Sequence, residues 1–192
     1  MLVRAREIIN KQIAAMTNLP LGASFEQAVR VILETRGKLI TTGIGKAGYV
    51  AKKAASTFST TGTPSLFLHP GDASHGDVGV LAPGDVLLAL SNSGRTREVL
   101  ETVHFCRKLG VDKVIGVTAN SDSPLGQESC VVLELGHIEE PCPFGLTPTA
   151  STQAMLALTD TLALIVMEER GFTRAEFALR HHGGYLGEKA RE

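Results

Sequence analysis

The stretch Ser91-Asn92-Ser93-Gly94-Arg95-Thr96-Arg97-Glu98 gathers residue types suited to holding a phosphate monoester. Ser91, Ser93 and Thr96 carry hydroxyl donors, and Gly94 lets the backbone approach a ligand closely. The stretch follows an apolar run at 85–90 and leads into a helical pattern at 98–109. A helix opening there presents unpaired N–H groups and a partial positive charge. The same residues also make an ordinary serine-rich helix cap that holds no ligand. On residue types alone both readings stand; the place after a central strand favours phosphate.

A second glycine loop, Thr41-Thr42-Gly43-Ile44-Gly45-Lys46-Ala47-Gly48, follows another short apolar run. It is not a nucleotide-binding P-loop, which needs GxxxxGK[ST]. Ile40 stands where the first glycine belongs, and Ala47 where the hydroxyl residue belongs. His69, Asp72, His75 and Asp77 are of metal-ligating types, but no ligand count can be read from them. For His75 a substrate hydroxyl contact is the preferred reading. The three cysteines, Cys106, Cys130 and Cys142, contain no CxxC pair and are odd in number. A reduced, cytoplasmic setting without disulfides is therefore expected. Cys106 and Cys130 read as structural, and Cys142, between Pro141 and Pro143, as part of a rigid wall.

The elements that must position these loops follow from periodicity. Apolar residues at mixed three- and four-residue steps predict a helix over 2–16. A second is expected over 25–35, with Ser24 as its N-cap. Short continuous apolar runs predict strands at 38–42, 65–68, 85–90, 113–117 and 130–135. Helical spacing returns at 47–59, 98–109, 151–169 and 174–179. Buried-looking strands alternating with helices imply a parallel sheet covered on both faces. The expected fold is α/β: a doubly wound five-stranded parallel sheet preceded by an N-terminal helical hairpin. Ligands of such sheets bind at the carboxyl ends of the strands.

Composition bounds the partners. The 192 residues suit one domain, and 43% of them are hydrophobic, enough to fill a core. Nineteen basic and twenty acidic side chains leave a net charge of −1, without the basic excess that nucleic-acid binding calls for. Charges interrupt the N-terminal apolar residues every few positions, unlike a signal peptide. No run of about 18 apolar residues is present, so no membrane span is expected.

Ser91-Asn92-Ser93-Gly94, at this place, resembles the phosphate loop of SIS (sugar isomerase) domains, and residues 41–48 resemble the first loop of that family. His69-Pro70-Gly71-Asp72-Ala73-Ser74-His75-Gly76-Asp77 is similar to the HPGEAxHGD-like segment of its arabinose 5-phosphate isomerases. Residues 140–149 resemble their ExCPxGLxPT segment, and residues 171–173 and 177–184 their GFTxxDFAxxHPGG ending. His182 departs from that pattern, which has proline there, and Arg95 and Arg97 make the phosphate loop unusually basic. The resemblance covers about 39–187. It implies one flavodoxin-like SIS domain over 1–192, with a helical segment about 1–36 and a sugar-phosphate-binding core about 37–187. Many of the resembled enzymes add a pair of CBS regulatory domains; this sequence, ending at Glu192, is expected to act without them.

Aldose–ketose isomerisation opens a sugar ring, moves a proton between adjacent carbons through an enediol, and stabilises an oxyanion. Lys46, Glu98, Glu140 and His181 match catalytic positions of the resembled enzymes, and their types fit those tasks. The resemblance implies Glu140 as the base at carbon and His181 as acid/base at the ring and carbonyl oxygens. Lys46 would polarise the carbonyl or position the sugar. Glu98 would orient hydroxyls or tune His181. Taken singly, each also reads as an ordinary surface or helix-start residue. Substrate contacts are expected from Gly45, His75, Ser91, Asn92, Ser93, Gly94, Thr96, Ser151 and Thr152. No cofactor or metal is implied, although zinc can inhibit the family, with His75 as a ligand. The implied reaction interconverts D-arabinose 5-phosphate and D-ribulose 5-phosphate, towards lipopolysaccharide or capsule. Alternatives are another SIS isomerase, such as a 6-phospho-3-hexuloisomerase, or a non-catalytic sugar-phosphate sensor. The family further implies a homodimer or homotetramer with sites at subunit interfaces, His181 acting in a neighbour's site.

Overall fold

In the computed structural model, which describes residues 1–192, the five apolar runs form five strands. They are β1 (Leu39–Thr42), β2 (Ser65–Leu68), β3 (Val86–Leu90), β4 (Lys113–Thr118) and β5 (Val131–Glu134). All neighbours are parallel, in the order β2-β1-β3-β4-β5. β1 and β3 are buried along their whole length, as expected of a sheet covered on both faces. Successive side chains divide between the faces. Val86, Leu88 and Leu90 of β3 join one apolar cluster, and Leu87 and Ala89 the other.

The helices are α1 (Leu2–Thr17), α2 (Ala23–Leu33), α3 (Gly45–Thr60), α4 (Pro70–Ala73), α5 (Arg97–Lys108), α6 (Pro124–Gln127), α7 (Ala150–Glu169), α8 (Arg174–Arg180) and α9 (Gly184–Arg191). A 3-10 turn covers Asp77–Val80. Helices α1, α2, α3 and α7 share one face of the sheet, while α5 and α6 cover the other. The two N-terminal helices both pack on α7. Helix α2 starts two residues earlier than expected and is capped by Gly22, so Ser24 lies inside its first turn. Asp85 is not in β3. Its buried carboxylate instead accepts from the Lys38 and Ala82 backbone N–H groups, each at 2.9 Å, and from Lys38 Nζ at 2.6 Å. This clamps the amino ends of β1 and β3 together.

Helix α7 holds no unbroken apolar run of about 18 residues, as expected, yet it is apolar on average. By length and composition alone it could cross a membrane. Half of it is buried, with Ala154, Leu158, Leu162 and Val166 in the core beneath α1 and α2, so it packs as a core helix. At its far end Arg170 donates to the Ile32 carbonyl at 3.0 Å. Beyond it, α8 starts on a capping box between Thr173 and Glu176. Helix α9, unforeseen in the sequence, folds back on α8, with Gly187 against the His181 carbonyl. A Cβ at Gly187 would meet that oxygen at 1.8 Å.

The strand order places the topological switch point between β1 and β3, where ligands of doubly wound sheets bind. The carboxyl ends of these strands, Thr42 and Leu90, lead directly into the two glycine loops.

Candidate active site

A cleft of about 310 Å³ opens at that switch point. Three helix N-termini line it: Ile44 and Lys46 from α3, Thr96 before α5, and Ser151 and Thr152 from α7. Ser91, Asn92 and Ser93 complete the side beneath α5. A helix N-terminus open to a cleft favours an anion there.

The loop after β3 is bound tightly from behind. Gly94 has φ 61° and lies against Ser123, where a Cβ would meet the hydroxyl at 1.9 Å. That double constraint explains glycine at this position. Ser91 N–H donates to the Val117 carbonyl, and Gly94 N–H to Ser91 O, each at 3.0 Å. The Ser91 and Thr96 hydroxyls bond each other at 2.7 Å, which holds Thr96 at the start of α5. The Ser93 hydroxyl accepts from Arg95 N–H at 3.2 Å. The N–H groups of Asn92, Ser93 and Thr96 find no acceptor within the chain. A phosphate-sized anion would satisfy them. Across the cleft Gly45, with φ 60°, turns the chain into α3, and the exposed Lys46 ammonium has no anionic partner in the chain.

Glu140 occupies the N-terminus of α7. One carboxylate oxygen accepts from Thr149 N–H at 2.8 Å, Thr149 Oγ1 at 3.0 Å and Ala150 N–H at 2.9 Å. The other accepts from Ser151 N–H at 3.2 Å and from the Ser151 hydroxyl. Burial pushes its pKa up, but the Ser151 hydroxyl and the Thr149, Ala150 and Ser151 N–H groups outweigh it and hold the carboxyl below its usual 4.5. Ser151 therefore directs its hydroxyl to Glu140, and Thr152 directs its own to the Thr149 carbonyl at 2.9 Å.

The remaining candidate residues are spread more widely. Glu98 is exposed on the first turn of α5, and its carboxylate makes no hydrogen bond within the chain. His75 is exposed beyond α4 and does not line the cleft. No three His, Cys, Asp or Glu side chains come together as a metal cluster. His181 ends α8, stacked on Phe177 at 3.8 Å between ring centroids, with Nδ1 3.1 Å from the Phe177 carbonyl. It follows α7, whose N-terminus lines the cleft, and a 20-residue helix is roughly 30 Å long. Helix α8 has 7 residues, roughly 10 Å, and does not reach back across that length. One chain thus brings Lys46, Ser91, Asn92, Ser93, Thr96, Ser151 and Thr152 to the cleft and leaves His181 away from it.

Cys142, expected as part of a rigid wall, organises the turn that follows it. Its sulfur accepts from Thr147 N–H at 3.1 Å and Leu146 N–H at 3.2 Å. Led by the Thr147 bonds, these contacts lower the thiol pKa to about 7. Cys130 is exposed and precedes β5, whereas Cys106 is buried and its thiol is pushed up to about 12 by that burial. Sequence reading also missed Thr118 and Ser123, which hold the phosphate-loop candidate from behind. Their only local signal is their place after β4.

The SIS domain family model matches residues 32–165. Arabinose 5-phosphate isomerase KdsD of Pseudomonas aeruginosa is 44% identical over 169 residues, covering 88% of this chain and 52% of that protein. KdsD of Escherichia coli K12 is 39% identical over 181 residues, covering 94% and 55%. The chain thus spans about half the length of the curated relatives it matches. Among solved structures, a Bacteroides fragilis putative phosphosugar isomerase involved in capsule formation is 45% identical, with a TM-score of 0.93 and coverage of 96% and 99%. The E. coli CFT073 protein c3406, solved in complex with A5P, is 34% identical, with a TM-score of 0.89 and coverage of 94% and 96%.

Proposed function

This chain belongs to the SIS domain family, and from that premise we propose that it is a cytoplasmic isomerase interconverting D-arabinose 5-phosphate and D-ribulose 5-phosphate. The observation that carries this reading is the cleft at the β1–β3 switch point. Asn92, Ser93 and Thr96, whose N–H groups are unpaired, line the same cleft of about 310 Å³ as the free Lys46 ammonium. The phosphate sits on the loop before α5, and the sugar extends towards α3 and α7. Relatives named as arabinose 5-phosphate isomerases, and a neighbour solved with A5P, support the choice of sugar.

In the proposed mechanism a base takes the proton from C2 of the open aldose. The electron pair forms the C1–C2 double bond of an enediol, and O1 gains a proton. Reprotonation at C1 with loss of the O2 proton gives the ketose. Glu140 is the proposed carbon base. Like any carboxyl at or below its usual range, it is ionised at neutral pH, the form that accepts a proton. It must shed a donor from its cap to reach carbon. Lys46 stabilises the oxyanion, and Glu98 orients hydroxyls. His181 opens the ring from a neighbouring subunit, which fits its distance from the cleft in its own chain. The assembly is therefore a homodimer or homotetramer with shared sites, and neither cofactor nor metal enters the scheme.

The test is a metal-free turnover assay with D-arabinose 5-phosphate beside ribose 5-phosphate and fructose 6-phosphate. Selective formation of ribulose 5-phosphate from the arabinose compound is expected. Turnover of one of the other sugars alone, or of none, would overturn the choice of substrate.

A further inference from the structure

We infer that Thr118, which does not itself line the cleft, is a positioning residue for the phosphate. It acts by fixing the peptide plane between Asn92 and Ser93. The inference rests on the reading of residues 91–98 as the phosphate loop.

Thr118 ends β4 and is completely buried. Its Oγ1 donates to the Asn92 carbonyl at 3.2 Å and accepts from Asn120 N–H at 3.3 Å. Ala119 N–H donates to the same Asn92 carbonyl at 2.9 Å. In a trans peptide the C=O and the following N–H point in opposite directions. Two donors pulling the Asn92 carbonyl towards β4 therefore turn the Ser93 N–H the other way. That N–H has no acceptor in the chain, and Ser93 lines the cleft.

The neighbouring peptide is held in the same manner. Leu125 N–H, at the start of α6, takes the Gly94 carbonyl at 3.0 Å. Ser123 closes the space behind Gly94, so the loop cannot sink towards β4. Of these supports, the Thr118 hydroxyl is the one that a nearly isosteric substitution removes while the backbone bonds remain. It also takes the Asn120 N–H and lies 3.5 Å from the Ser123 hydroxyl that caps α6. Its bond to the Asn92 carbonyl is the one that sets the direction of a cleft donor.

The experiment compares wild type, Thr118→Val and Thr118→Ser. Inorganic phosphate binding is measured by calorimetry, and KM and kcat with D-arabinose 5-phosphate. For Thr118→Val, a rise of about fivefold in both the phosphate Kd and KM is expected, the equivalent of one net hydrogen bond, with kcat within about twofold. Thr118→Ser keeps the hydroxyl and should restore both constants. A merely structural role would lower the melting temperature without this split between KM and kcat. Wild-type phosphate binding with unchanged constants in Thr118→Val would overturn the inference and leave the phosphate loop standing. Failure of wild type to bind either phosphate or the sugar phosphate would overturn the loop reading, and this inference with it.

Discussion

Glu140 and Ser151 are eleven residues apart, yet the Ser151 hydroxyl and N–H both donate to one oxygen of the Glu140 carboxylate. The other oxygen takes three donors from Thr149 and Ala150. The longest helix of the fold is thus capped by a side chain from the preceding loop. Its N-terminal charge is met within the protein, while the N-termini of α3 and α5 stay open to the cleft.

Glu140→Gln keeps the shape of this cap and removes its charge. We expect a loss of about 1 kcal/mol in stability at neutral pH, typical of a weakened helix cap, together with a large fall in kcat. The folded-state pKa is depressed, so the carboxylate contributes stability that is fully present above the ordinary value of 4.5. That contribution is lost as pH falls through the folded value. Thermal melts from pH 7 to pH 3 should therefore show the gap between wild type and variant closing below about pH 4.5. A gap of constant size would contradict the cap's charge dependence.

Gly94→Ala combines a left-handed backbone with a Cβ 1.9 Å from the Ser123 hydroxyl. A destabilisation of about 1–3 kcal/mol is expected, and a KM raised at least about tenfold. Pairing it with Ser123→Gly removes the two Ser123 contacts and leaves Thr118 Oγ1 2.8 Å from the new Cβ. The double variant should regain part of the stability in urea titrations while retaining the backbone strain.

Alkylation separates the cysteines. Cys142, with a thiol pKa near 7, should react with iodoacetamide at pH 7 well before Cys106, whose thiol is pushed up to about 12. Peptide mapping by mass spectrometry across pH 5.5–9 should place the Cys142 rate midpoint near pH 7. A midpoint above pH 8 would mean that the Thr147 and Leu146 N–H groups do not hold the thiolate.

Shared sites predict complementation. Lys46→Ala and His181→Ala should each be nearly inactive alone. Subunits mixed in equal amounts and reassembled should regain about a quarter of wild-type activity, because half of the resulting dimers carry one intact site of two. No recovery on mixing would place His181 in its own subunit's site.

Much of the fold was legible because β1, β3 and, beyond Lys113, β4 are buried on both faces and so read as short apolar, β-favouring runs. Element ends were less legible. Asp85 reads as a strand residue until its clamp to Lys38 is seen, and Ser24 reads as a cap although Gly22 supplies it. Helices α4 and α6, of 4 residues each, are too short for periodicity to register, and α9 carries a glycine at the position where it meets His181. The phosphate-loop candidate was visible from local residue types. The Glu140 cap was not, since cap rules look one to three residues from a helix start and this carboxylate comes from ten residues upstream. The far placement of His181 depends on the length and direction of α7, which no motif encodes.

On the phosphate-loop side of this cleft the free backbone donors are the N–H groups of Asn92, Ser93 and Thr96, and the Asn92 side chain makes no hydrogen bond within the chain. A saturation scan scored for phosphate binding should therefore yield an inverted map. Many replacements at the exposed Asn92 would be silent, while conservative changes at buried Thr118 and Gly94 would be loud. Sequence drift in this loop would then be free at the surface and constrained one layer beneath it.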